Sequence, residues 1–298
     1  MIRIAVASLF LVAQIAFAQL SPAATFATHV ANDYRVIPNV TYWTAGGVDL
    51  KLDAYVRRGV EGPQPTLIYM HGGFWVAGNK EGAIFTLLPW MEMGWNVINV
   101  EYRLGGVALA PAALEDCLCA LRYVAGRQQV QAWNVDVNRI VVMGESAGGH
   151  LALSLGMIPD SAGLDLECAN GQPLPKVAAV LNFFGITEVA DVISGPNFRA
   201  AAARWFGSLP DRLEIAKRVS PMEYVRDGLP PILTVHGDAD PVVPYPEAVR
   251  LHQALAKTNT PNQLLTIPGG GHGGFSKEQR TQIYTTIREF LTENGVMK

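Results

Sequence analysis

The stretch Gly144-Glu145-Ser146-Ala147-Gly148-Gly149 decides the fold of this chain. It follows the apolar run RIVVM at 139–143, and it precedes HLALSL at 150–155, which is predicted to be helical. A Gly-x-Ser-x-Gly sequence between a strand and a helix predicts a tight turn that lifts the serine hydroxyl to the edge of a sheet. Glycines suit such a turn because they accept strained dihedrals and close neighbours. A glycine-rich turn with an incidental serine would explain this stretch alone equally well.

The apolar runs around this stretch alternate with helical patterns. The first two, 36–44 and 48–56, flank Ala45-Gly46-Gly47 and predict an antiparallel hairpin at a sheet edge. Further strands are predicted at 66–70, 95–102, 139–143, 176–184, 231–235 and 263–267. Strands that alternate with helices predict a mainly parallel, doubly wound α/β sheet covered on both faces.

The regular alternation stops between 185 and 229. This segment mixes Gly195-Pro196 with Arg204-Trp205-Phe206-Gly207 and Ser220-Pro221. We interpret it as short helices that form a small cap over the sheet rather than an independent domain. The sequence therefore predicts one domain over 19–298, with a cap insertion around 185–229.

Candidate catalytic side chains follow the predicted strands. Asp238 and Asp240 come after the strand at 231–235, and His272 lies in a glycine-rich loop after 263–267. In parallel sheets, reactive groups gather at the carboxyl ends of the strands. A serine nucleophile needs a base, and the base needs a carboxylate that orients it. The chain order Ser146, Asp240, His272 is the order found in α/β-hydrolases.

Several motifs in this order resemble the α/β-hydrolase-fold serine esterases that carry an HGG oxyanion loop, a group that includes feruloyl-esterase-like and hormone-sensitive-lipase-like enzymes. The resemblance spans roughly 66–290. Its motifs are HGGFWVAGNK at 71–80, EYRL at 101–104, PAALEDCLCALRYV at 111–124, GESAGG at 144–149 and HGDADPVVP at 236–244. The resemblance implies an α/β-hydrolase fold with an N-terminal antiparallel hairpin and a small helical cap.

The resemblance also implies roles for individual residues. Ser146 would be the nucleophile, His272 the general base and then acid, and Asp240 the partner that orients the histidine. The oxyanion hole would consist of the backbone N–H groups of Gly72, Gly73 and Ala147. Asp238 competes with Asp240 for the acid role.

Three further residues are candidates for the substrate pocket. These are Phe74 and Trp75, next to the HGG sequence, and Glu145, next to the serine. Packing in the core is the alternative for the two aromatic residues. Glu101 and Arg103 are expected to form a structural ion pair near the oxyanion loop.

The implied activity is hydrolysis of carboxylic esters through an acyl-enzyme on Ser146, with no metal and no organic cofactor. The substrate class is a small-molecule or sugar-linked ester. An amidase or an exo-acting serine peptidase of the same fold is an alternative, and so is a non-catalytic binding protein of this fold. The acyl and alcohol specificity and the oligomeric state stay open.

The first eighteen residues have the pattern of a secretory signal peptide. Arg3 precedes an apolar run from 4 to 17, and Ala16-Phe17-Ala18 offers a cleavage site before Gln19. A secreted or periplasmic protein is therefore expected, with an N-terminal membrane anchor as the alternative. No stretch is predicted to be a stable membrane span. With 23 Lys+Arg against 26 Asp+Glu and no basic run, nucleic acid is not an expected partner.

The cysteines Cys117, Cys119 and Cys168 lack the spacing of a structural zinc site. On the helix predicted over 112–125, Cys117 shares the apolar face and Cys119 points the opposite way. We hypothesise a Cys119–Cys168 disulfide with Cys117 as a buried hydrophobic residue. Three free thiols are the alternative, because connectivity cannot be deduced from sequence alone.

Overall fold

The computed structural model describes residues 20–164, 167–169 and 172–297. The predicted signal peptide at 1–18 lies outside the described residues. The central feature is an eight-stranded sheet in the order β1-β2-β4-β3-β5-β6-β7-β8. Its strands are β1 Tyr34–Ala45, β2 Val48–Arg57, β3 Gln64–Met70, β4 Asn96–Val100, β5 Val135–Glu145, β6 Ala179–Phe183, β7 Ile232–Gly237 and β8 Asn262–Ile267.

The strand pairing confirms the predicted fold class. Strands β1, β2 and β4 pair antiparallel, and every other neighbouring pair is parallel. Every residue of β4 (NVINV) and β6 (AVLNF) is buried, because helices cover both faces of the sheet. The carboxyl ends of β3, β5, β6, β7 and β8 consequently share one edge of the sheet.

Helices pack on both faces and define two hydrophobic cores. The α-helices are α1 Pro22–Asp33, α2 Ile84–Glu92, α3 Ala112–Val124, α4 Arg127–Trp133, α5 Ala147–Met157, α6 Val189–Ser194, α7 Ala200–Phe206, α8 Arg212–Arg218, α9 Tyr245–Leu255 and α10 Lys277–Glu293. One core contains Leu114 of α3 and Leu151 of α5, and the other contains Trp90 of α2 and Ile287 of α10. Of the described helices, none is long and apolar enough to cross a membrane.

The segment 185–229 forms the short helices α6, α7 and α8 and a 3₁₀ turn at Pro221–Tyr224. Trp205 of α7 anchors it, because this side chain is fully buried and its carbonyl accepts a hydrogen bond from the Ala110 N–H at 2.8 Å. The Trp205 ring also stacks on Trp75, with the ring centroids 4.4 Å apart. The segment is thus packed onto the loop that follows β3. That it covers the site as a cap stays a prediction.

The hypothesised disulfide is confirmed. Cys119 of α3 is bonded to Cys168, and Cys117 is a buried free thiol in the core. The bridge attaches the loop between α5 and β6 to α3. Nearby, the Arg122 guanidinium donates hydrogen bonds to the carbonyls of Gln172 and Pro173 in the same loop.

We expect removal of this bridge to lower the free energy of unfolding by up to about 4 kcal/mol, because the crosslink closes a loop of 49 residues and restricts the unfolded chain. The measurement is urea unfolding of the wild type and of a Cys119→Ser/Cys168→Ser variant, each with and without reductant. The wild type in reductant should match the variant, and reductant should not change the variant. A wild type that is indifferent to reductant would contradict the prediction.

Candidate active site

Ser146 lies on the turn between β5 and α5, in the strained conformation φ 57°, ψ −120°. The surrounding packing requires glycine on both sides of it. A Cβ atom on Gly144 would lie 2.2 Å from the Gly148 carbonyl oxygen, and one on Gly148 would lie 2.1 Å from the carbonyl oxygen of Met70. The start of α5 therefore lies against the end of β3, and Ser146 lies where these elements meet.

Asp240 and His272 lie in the loops after β7 and β8 and contact each other. His272 Nδ1 lies 2.7 Å from Asp240 Oδ2. The other carboxylate oxygen, Oδ1, accepts hydrogen bonds from the N–H groups of Val242 at 2.7 Å and Val243 at 3.1 Å. Backbone N–H groups of its own loop therefore hold the Asp240 carboxylate in place, in contact with Nδ1 of the His272 ring.

Burial by itself would raise the pKa of Asp240. Hydrogen bonds from His236, His272 and the Val242 N–H outweigh it and hold the pKa well below its ordinary value. His236 Nε2 lies 3.2 Å from Asp240 Oδ2 and 3.0 Å from the Val243 carbonyl oxygen. His236 thus stabilises the loop after β7, which carries Asp240. Because its pKa is lowered, Asp240 is ionised at neutral pH.

Asp240, and not its competitor Asp238, contacts His272. Asp238 is exposed, and its Oδ1 accepts a hydrogen bond from the Gly269 N–H at 2.7 Å. This hydrogen bond joins the loop after β7, which carries both aspartates, to the loop after β8, which carries His272. The two carboxylates therefore have different tasks, although they lie only two residues apart.

The loop after β3 lies against the serine turn. A Cβ atom on Gly72 would lie 2.9 Å from the Glu145 carbonyl oxygen and 3.2 Å from Ser146 Cβ. Gly73 has φ 123°, and its carbonyl accepts hydrogen bonds from Val76 and Ala77. Neither Gly72 nor Gly73 donates its own N–H to another residue of the described chain. Gly72 lies next to Ser146, and Gly73 follows it in the same loop.

Ala147, the third predicted donor, follows Ser146 directly and is the first residue of α5. The N-terminus of a helix carries partial positive charge, which stabilises a nearby anion. Gly72 and Ala147, two of the three predicted oxyanion donors, thus lie beside Ser146. Their role in catalysis stays a prediction.

His71 and Tyr102 hold the loop after β3 in place. His71 Nδ1 lies 2.8 Å from the Gly72 carbonyl oxygen, and the Tyr102 hydroxyl donates to the His71 carbonyl at 2.8 Å. The two rings stack with centroids 4.4 Å apart. The carbonyl groups of His71 and Gly72 are therefore both hydrogen-bonded. These bonds fix the orientation of the two peptide units that follow His71 and Gly72, beside Ser146.

The prediction of an ion pair between Glu101 and Arg103 is wrong. Glu101 accepts a hydrogen bond from the Lys80 N–H at 2.8 Å, and Arg103 pairs with Asp116 of α3 at 2.6 Å. The buried Asp116 carboxylate also accepts hydrogen bonds from the Arg103 backbone N–H at 2.8 Å and from its Nε–H at 2.9 Å, so the Arg103 side chain is held against α3.

Trp75 lies in the core rather than in a substrate pocket. Its side chain has no exposed surface, and its Nε1–H donates to His150 Nδ1 at 3.1 Å. Phe74 is half-buried, with φ 51°. Of the three pocket candidates, Trp75 is thus the one that the structure removes.

Glu145 lines a cavity of about 80 Å³, together with Phe184, Gly274 and Arg280. Burial raises the pKa of Glu145, and the charges of Arg280 and His272 oppose this shift. The cavity lies beside the loop after β8 that carries His272, which we call the histidine loop. Glu145 therefore stays a candidate pocket residue.

Phe184 was not identified from the sequence, yet it connects the parts of the site. Its ring lies 4.6 Å from the His272 ring, and its N–H donates to the Val235 carbonyl on β7. The preceding residue, Phe183, accepts a hydrogen bond from the Ser146 N–H at 2.9 Å. The available signal was position alone, because both residues lie at the carboxyl end of β6.

His150 is a structural residue behind the serine turn. Its Nε2 donates to the Val219 carbonyl at 2.7 Å, and its Nδ1 accepts the Trp75 hydrogen bond, which fits a neutral imidazole. Burial lowers its pKa to about 4, and the Val219 hydrogen bond opposes that shift. His150 thus joins α5, the loop after β3 and the 185–229 segment.

We expect His150 to make the protein less stable in acid. Since its pKa is about 4 in the fold and about 6.5 in the unfolded chain, its contribution is fully present above pH 6.5. Between about pH 7 and pH 4, His150 becomes protonated in the unfolded chain but stays largely neutral in the folded protein. The free energy of unfolding therefore falls by about 3 kcal/mol over this range. The measurement is urea unfolding of the wild type and His150→Gln across this range. The variant should lose less stability on acidification, and equal losses would contradict this account.

Metal ligands do not cluster in the part of the chain that the structure describes. No group of three or more His, Cys, Asp or Glu side chains there is arranged to hold a metal ion.

A mostly parallel sheet with a serine turn after β5, an Asp–His pair after β7 and β8, and a glycine loop after β3 defines the class of this protein as α/β-hydrolase. The comparisons with known proteins agree. The BD-FAE family model matches residues 52–255, and the chain therefore belongs to the BD-FAE family.

Curated relatives are also esterases by name. Esterase LipC of Mycobacterium tuberculosis is 28% identical over 220 residues, which cover 71% of this chain and 53% of LipC. The probable carboxylic ester hydrolase LipM of the same organism is 25% identical over 277 residues, which cover 89% of this chain and 62% of LipM. The chain thus matches about half to three fifths of the length of these relatives.

Solved structures of similar fold match almost over their full length. Thermogutta terrifontis esterase 2 phosphorylated by paraoxon has a TM-score of 0.73 and 26% identity, and the match covers 89% of this chain and 95% of that one. A truncated carbohydrate esterase from gut microbiota has a TM-score of 0.75 and 27% identity, with 87% and 97% covered.

Proposed function

We propose that this protein hydrolyses carboxylic esters, with Ser146 as the nucleophile, His272 as the general base and Asp240 as the residue that orients it. The observation that carries the proposal is the 2.7 Å contact between His272 Nδ1 and Asp240 Oδ2 at the sheet edge where Ser146 stands. The esterase names of the relatives support the same reaction.

In the proposed reaction, Ser146 Oγ attacks the ester carbonyl carbon while His272 Nε2 takes its proton. The N–H groups of Gly72, Gly73 and Ala147 stabilise the negative charge that develops on the carbonyl oxygen. The carbon–oxygen bond to the alcohol then breaks, and His272 returns the proton to the leaving alcohol. A water activated by His272 attacks the acyl-enzyme and releases the acid and free Ser146.

Ionised Asp240 has two effects in this cycle. It fixes the imidazole with Nδ1 as a donor, which leaves Nε2 free to accept the serine proton, and its charge stabilises the imidazolium that forms. The hydrogen bonds from Val242 and Val243 keep the carboxylate in place. A carboxylate whose pKa lies well below its ordinary value keeps this charge across the neutral range.

An amidase or exo-acting peptidase with the same residues is the alternative reaction. A matched pair, 4-nitrophenyl acetate and 4-nitroacetanilide, separates the two because the acyl group and the aromatic ring are the same. We expect rapid hydrolysis of the ester and little or no hydrolysis of the anilide. Faster release from the anilide would contradict the ester assignment.

We also propose that the mature protein is secreted or periplasmic and begins near Gln19. The Cys119–Cys168 disulfide supports an oxidising compartment, because such bonds are rare in the reducing cytosol. The basic and apolar start of the sequence supports export. Fractionation of the producing cells with N-terminal sequencing tests this, and an intact Met1 on cytosolic protein would contradict it.

A further inference from the structure

A groove of about 730 Å³ runs between α2 and α10, outside the catalytic residues described above. Phe85, Pro89 and Glu92 line it from α2, and Lys277, Arg280 and Arg288 line it from α10. The Phe85 side chain is 81% exposed, which is unusual for a large aromatic residue. One wall of the groove is therefore basic, and the other carries an exposed ring.

The groove meets the small cavity beside the histidine loop. Thr86, Arg280 and Tyr284 line both spaces, and the cavity reaches Glu145 and Gly274. The Tyr284 hydroxyl donates to the Thr86 carbonyl at 3.1 Å and joins the two helices. The groove therefore adjoins a cavity that is lined by Glu145 and Gly273, the sequence neighbours of Ser146 and His272.

The basic side chains that α10 contributes to the groove are largely unpaired. Neither Lys277 nor Arg288 makes an ion pair or a hydrogen bond through its side chain with another residue of the described chain. Arg280 donates only its Nε–H, to the Phe275 carbonyl at 3.1 Å, and its remaining N–H groups are available. Glu92 is the one acidic residue among those that line the groove.

Helix α10 as a whole is neutral, but its acidic residues Glu278, Glu289 and Glu293 do not line the groove, so the face that it turns to the groove is basic. From Lys277 to Arg288 the helix rises by about 16 Å, since each residue adds about 1.5 Å. Charges spread over that distance suit an extended ligand with repeated negative groups better than a single carboxylate. Arginine binds carboxylates with two parallel hydrogen bonds, which adds geometric selectivity.

We propose that the groove is a subsite for an acidic oligosaccharide, in which sugar units that bear carboxylates lie along α10 while an ester on the same chain reaches Ser146. The proposal rests on the proposed ester hydrolysis. The exposed Phe85 ring offers a flat apolar surface to the face of a sugar ring, and the basic wall attracts the carboxylates. The carbohydrate esterase of similar fold supports a saccharide rather than an acidic peptide.

The test compares two acetylated substrates of equal length, an oligogalacturonate and a neutral xylo-oligosaccharide. The Lys277→Glu/Arg288→Glu variant reverses two exposed charges and leaves Arg280, which contacts the histidine loop. We expect the ratio of kcat/KM for the acidic substrate to that for the neutral one to fall by about tenfold or more. Added salt should lower this ratio in the wild type and affect it less in the variant.

A matched control is Arg58→Glu/Lys257→Glu, which reverses two exposed charges that do not line the groove. This control should keep the wild-type ratio. The same ratio in the groove variant and in the wild type would overturn the proposal, as would an equal fall in the control.

Binding without chemistry separates this proposal from the proposed reaction. Calorimetry of Ser146→Ala with unesterified oligogalacturonate should show binding that the added Lys277→Glu/Arg288→Glu changes abolish. Undetectable binding, or binding that survives those changes, would overturn the groove assignment even if the wild type hydrolyses 4-nitrophenyl acetate. Equally tight binding of poly-glutamate would overturn the assignment to a saccharide. Failure on 4-nitrophenyl acetate with binding intact would refute only the reaction.

Discussion

Ser146→Ala is expected to lower kcat/KM for 4-nitrophenyl acetate by about 10⁴-fold or more, because it removes the atom that attacks the ester. The oxyanion donors and the Asp240–His272 pair remain in this variant, so the measurement isolates the nucleophile. The serine turn should keep its shape. Its strained backbone is held by the Ser146 N–H bond to Phe183 and by the glycines on either side, which the substitution leaves in place.

Ser154→Ala is the matched control. Ser154 is buried on the same helix, α5, and its hydroxyl donates to the His150 carbonyl at 2.8 Å. Both variants should unfold at temperatures close to that of the wild type, and Ser154→Ala should retain activity. Similar activity in the two variants would refute Ser146 as the nucleophile.

Asp240→Asn should lower kcat by about 10³- to 10⁴-fold while the fold is retained. The substitution keeps the size of the side chain but removes the negative charge 2.7 Å from His272 Nδ1. Without that charge, the imidazole is no longer held with Nε2 free, and the imidazolium that forms during attack loses its counter-charge. The expected loss lies mainly in kcat, because Asp240 acts through His272 and not on the bound substrate.

Asp238→Asn provides the comparison, because the same chemical change occurs two residues away in the same loop. The Asp238 carboxylate bonds the Gly269 N–H, and an amide oxygen can accept that bond too. We expect only a small loss of activity. A loss as large as that of Asp240→Asn would mean that the structure of the loop after β7 controls the rate, and not the negative charge of Asp240 next to His272.

The sequence predicts those parts of the fold that depend on local pattern. Buried parallel strands such as β4 and β6 are short apolar runs, and the turn around Ser146 is marked by glycines that the packing requires. Helix α1 was not predicted: Phe26 and Val30 do recur at helical spacing, but the apolar face is short and none of the residues of the helix is buried. Its start did have a signal, since Ser21 caps the Ala24 N–H and Pro22 follows.

The contacts between distant loops could not be predicted in the same way. Asp238 and Asp240 follow the same strand, and only their positions relative to the loop after β8 decide which one contacts His272. Similarly, Arg103 finds Asp116 on α3 rather than Glu101 next to it in sequence, and Trp75 turns into the core towards His150. Each of these outcomes depends on packing between elements that are far apart along the chain.

We claim that Ser146 is an activated nucleophile, and covalent labelling by paraoxon tests this most directly. The Ser146 oxygen would attack phosphorus and expel 4-nitrophenolate, which leaves one diethylphosphoryl group on the enzyme. We predict one such group per chain, located by peptide mass spectrometry on Ser146, with esterase activity lost in proportion to labelling and no label on Ser146→Ala. Activity that persists in fully labelled protein, or a label on another residue as activity disappears, would contradict the claim.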